Sequence, residues 1–277
     1  GNLAYISTDM MVSDPFFAMV MRRTYNSLAT TKTPLGYGWD FSFNTCLLRE
    51  FDASGGNEVG MVLKDGDGSF HRFLRKADGT YESAKGTFMK LAYDEAAGEY
   101  TITRKDNIVY HFDAQSMKLL SFTNPNGNAL AFAYDSRGNL QSIENTVGEK
   151  IEITYHVSGA NPGDADYTYV NEHVDMVETV SWTQAGASSP ESIVYHYVYG
   201  DDDKLDQAYT LIEGNNTYGE SFSYGADGKL AAITNPEGND YTLSFGSGGK
   251  LTGIEDPIGE TFAFPYGSGT TTVADKY

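Results

Sequence analysis

The stretch from Phe222 to Tyr266 says one phrase about twice, with a step of 21 residues. Tyr224, Phe245 and Tyr266 keep that step, and so do Phe222, Leu243 and Phe264. Leu230 and Leu251, Ile233 and Ile254, and Gly238 and Gly259 follow suit. A fixed period of this length marks one supersecondary unit that cannot bury its apolar face alone and stacks on copies of itself. The same register recurs upstream, from Phe132 to Ile153, Tyr134 to Tyr155, Leu119 to Leu140 and Phe122 to Ile143.

Each unit reads as two strands and two turns. In Phe222-Ser223-Tyr224 and Phe132-Ala133-Tyr134 the large residues share one strand face and small residues take the other. Gly228 and Gly138 close the first turn at a place that needs positive φ. A Leu/Ile strand follows, then an exit turn: Asn124-Pro125-Asn126-Gly127, Asn235-Pro236-Glu237-Gly238 or Asp256-Pro257-Ile258-Gly259. Proline presets φ at the second turn position, and Asn or Asp caps the first. Leu230 and Ile233 are three residues apart, as are Leu140 and Ile143, which a flat strand cannot put on one face. Either a bulge or a strand end there resolves the conflict.

Composition agrees with many short strands. The chain has 277 residues, with 20 Tyr, 15 Phe and 30 Gly against 2 Trp. No window carries a helical period. The expected fold is all-β: antiparallel hairpin repeats of about 21 residues forming one long coiled sheet. Its aromatic face needs a cover. A fragment with open edges is expected to self-associate.

Two parts are expected. Residues 1–117 form a leading β segment, and residues 118–277 carry the repeats, with a longer insertion at about 156–200. In the leading part, Ala18 to Ser27 reads as a strand. Gly36 and Gly38 bend the backbone beneath Tyr37 and Trp39, and Phe41 and Phe43 share a face. Asp65-Gly66-Asp67-Gly68 and Asp78-Gly79 are hairpin turns. Tyr100 and Ile102 alternate on one strand, and Val109, Tyr110 and Phe112 lie on the next. Ser158 to Asp166 and Gln184 to Glu191 read as loop insertions.

A formal net charge of −19 argues against nucleic acid, whose phosphates need Lys and Arg. It argues equally against an anionic membrane surface. No run approaches the roughly 18 apolar residues of a span, so membrane insertion is not expected. Cys46 is the single cysteine and reads as a small buried hydrophobe, so no internal disulfide forms. The chain opens without a signal peptide and stops before closing its last repeat, which reads as a piece of a longer protein.

Tyr134-Asp135 before Ser136-Arg137-Gly138-Asn139-Leu140, at this spacing, is similar to the repeat of the Rhs/YD-repeat family. Arg23 to Ser27 and Gly36 to Phe41 resemble the segment that precedes those repeats. In the regular register the Tyr-Asp pair survives only at 134–135. The resemblance implies a secreted or surface bacterial protein whose repeats wind into a hollow β-shell around a C-terminal domain, in some members a toxin. The implied role is structural, and the implied partners are the rest of the polypeptide and, for some members, a surface glycan. The self-cleaving signature of such shells continues Asp-Pro-x-Gly with Leu, whereas Glu260 follows Gly259. Asp256 to Gly259 therefore reads as an ordinary turn.

Catalytic motifs fail. There is no nucleophile elbow, and Gly246 to Thr252 is too short for a phosphate loop and runs into a strand. His71, His111, His156, His173 and His196 are scattered without metal-ligand spacing. Asp201-Asp202-Asp203 and Asp65-Gly66-Asp67 offer oxygens for Ca²⁺ but lack a binding-loop spacing. No residue is assigned a catalytic, cofactor-binding or metal-binding role, and no cofactor is expected. The alternative function is a surface adhesion module binding carbohydrate through exposed aromatics, with Trp39 and Trp182 as candidates.

Overall fold

A computed structural model describes residues 2–13, 17–156, 174–186, 191–212 and 216–266. The leading part holds β1 (Ala4–Val12), β2 (Met19–Asn26), β3 (Lys32–Thr33), β4 (Gly36–Tyr37) and β5 (Trp39–Phe41). Next come β6 (Cys46–Phe51), β7 (Glu58–Lys64), β8 (Phe70–Arg75) and β9 (Tyr81–Ser83). The rest is a meander: β10 (Lys90–Asp94), β11 (Glu99–Thr103), β12 (Val109–Asp113), β13 (Leu119–Thr123), β14 (Ala129–Tyr134), β15 (Leu140–Asn145) and β16 (Lys150–His156). It continues through β17 (Met176–Thr183), β18 (Ser192–Tyr199), β19 (Leu205–Ile212), β20 (Asn216–Tyr224), β21 (Leu230–Thr234), β22 (Asp240–Phe245), β23 (Leu251–Glu255) and β24 (Thr261–Ala263).

Strands β10 to β24 form one 15-stranded sheet in sequence order. Every pairing is antiparallel, as hairpins joined by tight turns require. The sheet begins ahead of the clear repeat text, at Lys90. A four-stranded sheet, β6 to β9, precedes it and touches it through a bridge from Cys46 to Lys118. β1, β2 and β5 make a separate three-stranded sheet.

The three-residue spacing resolves as a bulge. Tyr224 pairs with Leu230 and Ser223 with Ala232, so Ala231 is the extra residue. The shift turns both Leu230 and Ile233 inward, at 0% and 6% exposure. The same shift recurs at Tyr134/Leu140, Tyr155/Val177, Tyr199/Leu205 and Phe245/Leu251.

A tyrosine at or just past the end of a first strand fastens the bulge before it in five places. Tyr134 Oη donates to the Leu119 carbonyl at 2.9 Å and Tyr155 Oη to Leu140 at 2.9 Å. Tyr199 does so to Val177 at 2.9 Å, Tyr224 to Leu205 at 2.6 Å, and Tyr266 to Leu251 at 2.8 Å. Each accepting residue opens a bulge, where the sheet's own hydrogen bonding is interrupted. Phe245 occupies the same place in its repeat and has no hydroxyl to give.

The exit turns are built as the residues dictate. Gly127 donates to the Asn124 carbonyl at 3.0 Å with φ 82°. Asn124 Oδ1 accepts from the amides of Asn126 and Asn128. Asp256 accepts in the same way from Ile258 and Glu260, so Asp256 to Gly259 is a repeat turn. Gly246 to Thr252 forms a turn with a short 3-10 segment, Ser247–Gly249, between two strands. The Asp65 and Asp78 hairpins close as expected, and Tyr100, Ile102, Tyr110 and Phe112 are buried. Ser158 to Asp166 and the middle of Gln184 to Glu191 lie outside the described residues.

The long sheet bends around the leading segment. The Trp39 ring lies 4.6 Å from Phe222 on β20, while the Phe43 ring lies 5.9 Å from Phe132 on β14. Six inter-strand gaps in a flat sheet cover about 29 Å. Four residues of extended chain reach about 14 Å. The wall must curve for one short segment to touch both strands. Trp39, Phe41 and Phe43 are all buried in that contact.

Candidate functional site

The place where chemistry-bearing side chains converge is the seat of the leading segment in the wall. β2 alternates Met19, Met21, Arg23 and Tyr25 toward the long sheet, and all four are buried. A bulge between Thr8 and Met10 in β1 leaves Asp9 as the extra residue, and its side chain turns to Arg23. Arg23 Nε donates to Asp9 Oδ1 at 2.7 Å and Oδ2 at 2.8 Å. Its Nη2 donates to Glu220 Oε2 of β20 at 2.8 Å. Tyr197 Oη on β18 donates to Asp9 Oδ2 at 2.7 Å, and Tyr5 Oη donates to Glu220 Oε1.

Arg23 and Asp9 together therefore tie two strands of the leading segment to two strands of the wall. The side chains of Arg23 and Asp9 are fully enclosed, and that of Glu220 is 14% exposed. The guanidinium carbon also sits 5.6 Å from the Trp39 ring and 5.3 Å from the Phe222 ring. Arg23 Nη1 has no hydrogen-bond partner among the described residues. Burial pushes the Asp9 carboxyl up from its ordinary range, against the pull of Arg23. The Arg23 guanidinium is held above its ordinary value by Asp9, Tyr197 and Glu220, which together outweigh its own desolvation.

Further bonds continue the seat. Trp39 Nε1 donates to Tyr224 Oη at 2.8 Å, and the Leu230 amide donates to Tyr25 Oη at 2.9 Å. Lys229 Nζ donates to the Ser27 carbonyl at 3.2 Å. The Tyr37 amide donates to the Asp203 carbonyl at 3.2 Å, and the Val177 amide to Pro34 at 2.8 Å. Gly36 and Gly38 have φ of 85° and 81°. A Cβ on Gly36 would lie 2.3 Å from the Asp203 carbonyl oxygen, and one on Gly38 would lie 2.7 Å from the Tyr25 ring. The glycines are needed for this close approach.

The residues weighed in the sequence are dispersed. Trp39 is buried at 1% exposure, so it offers no face to a sugar. Trp182 is half-buried and donates to Glu149 Oε2 at 2.6 Å. Cys46 is half-buried rather than fully buried, and burial pushes its thiol up. His111 faces Glu99 at 3.2 Å, and His196 stacks on Tyr209 at 5.2 Å. Asp203 is engaged by Lys32 at 2.7 Å, and Asp202 by Lys204. Among the described residues no group of three His, Cys, Asp or Glu is arranged to hold a metal ion. No helix among them is long and apolar enough to cross a membrane, which says nothing of strands. His173 lies outside the described residues.

The cluster of Asp9, Arg23, Tyr197 and Glu220 was missed by sequence reading. Arg23 and Tyr25 drew notice there only within the strand from Ala18 to Ser27 and as part of a resemblance. Asp9 enters the site through a bulge that no local motif announces.

Residues 1–73 match the family model described as a domain of unknown function, DUF6531. Over 140 residues the chain is 28% identical to the tRNA3(Ser)-specific nuclease WapA of Bacillus spizizenii. Over the same length it is 27% identical to the tRNA nuclease WapA of Bacillus subtilis strain 168. These matches support a likeness to the Rhs/YD-repeat family. The matched stretch is 50% of this chain and 6% of each WapA, so an Rhs/YD-repeat relative is far longer than the part compared. Among solved structures, TcdB2-TccC3 overlays 84% of this chain and 14% of its own, at 15% identity and a TM-score of 0.37. The Tc holotoxin pore of Photorhabdus luminescens overlays 89% of this chain and 15% of its own, at 12% identity and a TM-score of 0.33.

Proposed function

We propose that the chain is a non-catalytic wall segment of a secreted or cell-surface bacterial Rhs/YD-repeat protein. Its hairpins build part of a β-shell that scaffolds or encloses a C-terminal domain. Residues 1–117 serve as the leading part and 118–277 as the repeats. The main partner is the remainder of the same polypeptide.

One observation carries this reading. The charged and aromatic groups that converge are spent on holding the leading segment in the wall: Arg23 bonds to Asp9 and Glu220, and Trp39 bonds to Tyr224. Groups committed to buried partners in this way support a scaffold. Glycan adhesion remains the second reading. It has lost Trp39 to the core and keeps the half-buried Trp182.

Limited proteolysis of the full-length gene product tests the proposal. The C-terminal domain is expected to resist protease in the intact protein. It should become sensitive when Trp39→Ala and Arg23→Ala unseat the leading segment. Equal sensitivity in both proteins would refute enclosure. A specific micromolar ligand on a glycan array would favour adhesion.

A further inference from the structure

Around Arg23 the charges do not balance. Asp9 and Glu220 both bond to this single guanidinium, Asp9 through Nε and Glu220 through Nη2. The other titratable groups facing the site are tyrosines: Tyr5 from β1, and Tyr195, Tyr197 and Tyr199 from β18. Burial raises all of them above the ordinary phenol value, Tyr195 to about 12, so they stay neutral. The facing residue of β5 is Trp39, which carries no charge. Arg22, the adjacent cation in sequence, points to the opposite face of β2 and is exposed.

We propose that seating the leading segment takes up one proton, held by Asp9 against Arg23 with Glu220 as the guanidinium's second acidic partner, so that the seat tightens as pH falls toward mild acid. Two carboxylates on one enclosed guanidinium leave a net negative charge in a place with little water, and a proton removes it. No co-reactant is needed, because the proton comes from solvent.

The raised Asp9 carboxyl agrees in sign. A carboxyl that binds its proton more tightly when folded contributes stability that is fully present below the ordinary carboxylate range. That contribution is lost as pH rises through the raised folded value. Turn carboxylates such as Asp113, held below the ordinary range by Ser116, act in the opposite direction at lower pH. The test must therefore read the seat locally.

Hydrogen exchange of the β2 and β5 amides between pH 5 and 8, corrected for intrinsic rates, gives that local reading. One proton taken up on seating makes the opening constant rise by up to about tenfold per pH unit. Glu220→Gln keeps an acceptor for Arg23 and removes one charge, so its profile is expected to be flat. A wild-type opening constant that is flat, or that grows as pH falls, overturns the proposal. So does an unchanged slope in Glu220→Gln. If that variant fails to fold, infrared spectroscopy of the wild type at pH 6 decides. The C=O stretch of a buried protonated carboxylic acid is expected, and its absence overturns the proposal.

Discussion

The Tyr155 hydroxyl donates to the Leu140 carbonyl at 2.9 Å, reaching back to the first residue of the preceding bulge. Tyr155→Phe keeps the ring and leaves that carbonyl without this donor. A buried polar group left unpaired costs about 1–3 kcal/mol. The reverse change, Phe245→Tyr, supplies the hydroxyl its repeat lacks and is expected to gain about 0.5–1.5 kcal/mol. Urea unfolding midpoints check both. A neutral Tyr155→Phe would mean the clasp contributes nothing.

The period, the turns and the inward faces were legible in the sequence because each depends on neighbours within one repeat. Gly127, Asn124 and Asp256 specify their turns locally. The bulge was legible only as a conflict between Leu230 and Ile233, since spacing alone does not distinguish an inserted residue from a strand end. The clasp and the seat were not legible. Tyr155 meets Leu140 across a repeat boundary, and Arg23 meets Glu220 across most of the chain. Such pairings are set by how the sheet curves, which no short window encodes.

Gly36 and Gly228 have similar dihedrals, φ 85° and 76°, but different surroundings. A Cβ at Gly228 meets the Lys204 side chain at 3.8 Å, an ordinary contact. Gly228→Val is expected to cost the backbone strain, about 1–3 kcal/mol. Gly36→Ala adds a collision with the Asp203 carbonyl at 2.3 Å and forces the leading segment away from the wall. The smaller side chain is therefore expected to do more damage. Thermal melts give the order, and a higher melting temperature for Gly36→Ala than for Gly228→Val would refute it.

Arg137 in the 135–139 turn clamps Asp175, with Nε to Oδ2 at 2.6 Å and Nη2 to Oδ1 at 2.9 Å. Asn139 Nδ2 adds a bond to Oδ2 at 2.8 Å. The Asp175 side chain is 3% exposed. Arg137→Ala takes the guanidinium away from that buried carboxylate and is expected to cost about 3–5 kcal/mol. Removing both charges with Arg137→Met and Asp175→Leu should cost less than Arg137→Ala alone. A double-mutant cycle with no coupling would show that the pair is idle.

Phe222 and Phe245 are aromatics on successive first strands, two positions apart in the repeat register, and the leading segment covers only Phe222. Phe222 lies beneath Trp39 at 6% exposure. Phe245 is half-buried, on the stretch of wall beyond that contact. Phe222→Ala opens a cavity in packed core and is expected to cost about 3–5 kcal/mol. Phe245→Ala removes a ring that keeps part of its hydration in the folded state, and about 1–2 kcal/mol is expected. Chemical denaturation of both variants measures the difference. Equal losses would mean that the wall at Phe245 is as fully covered as at Phe222. A larger loss at Phe245 would place the core toward β22 and away from the leading segment.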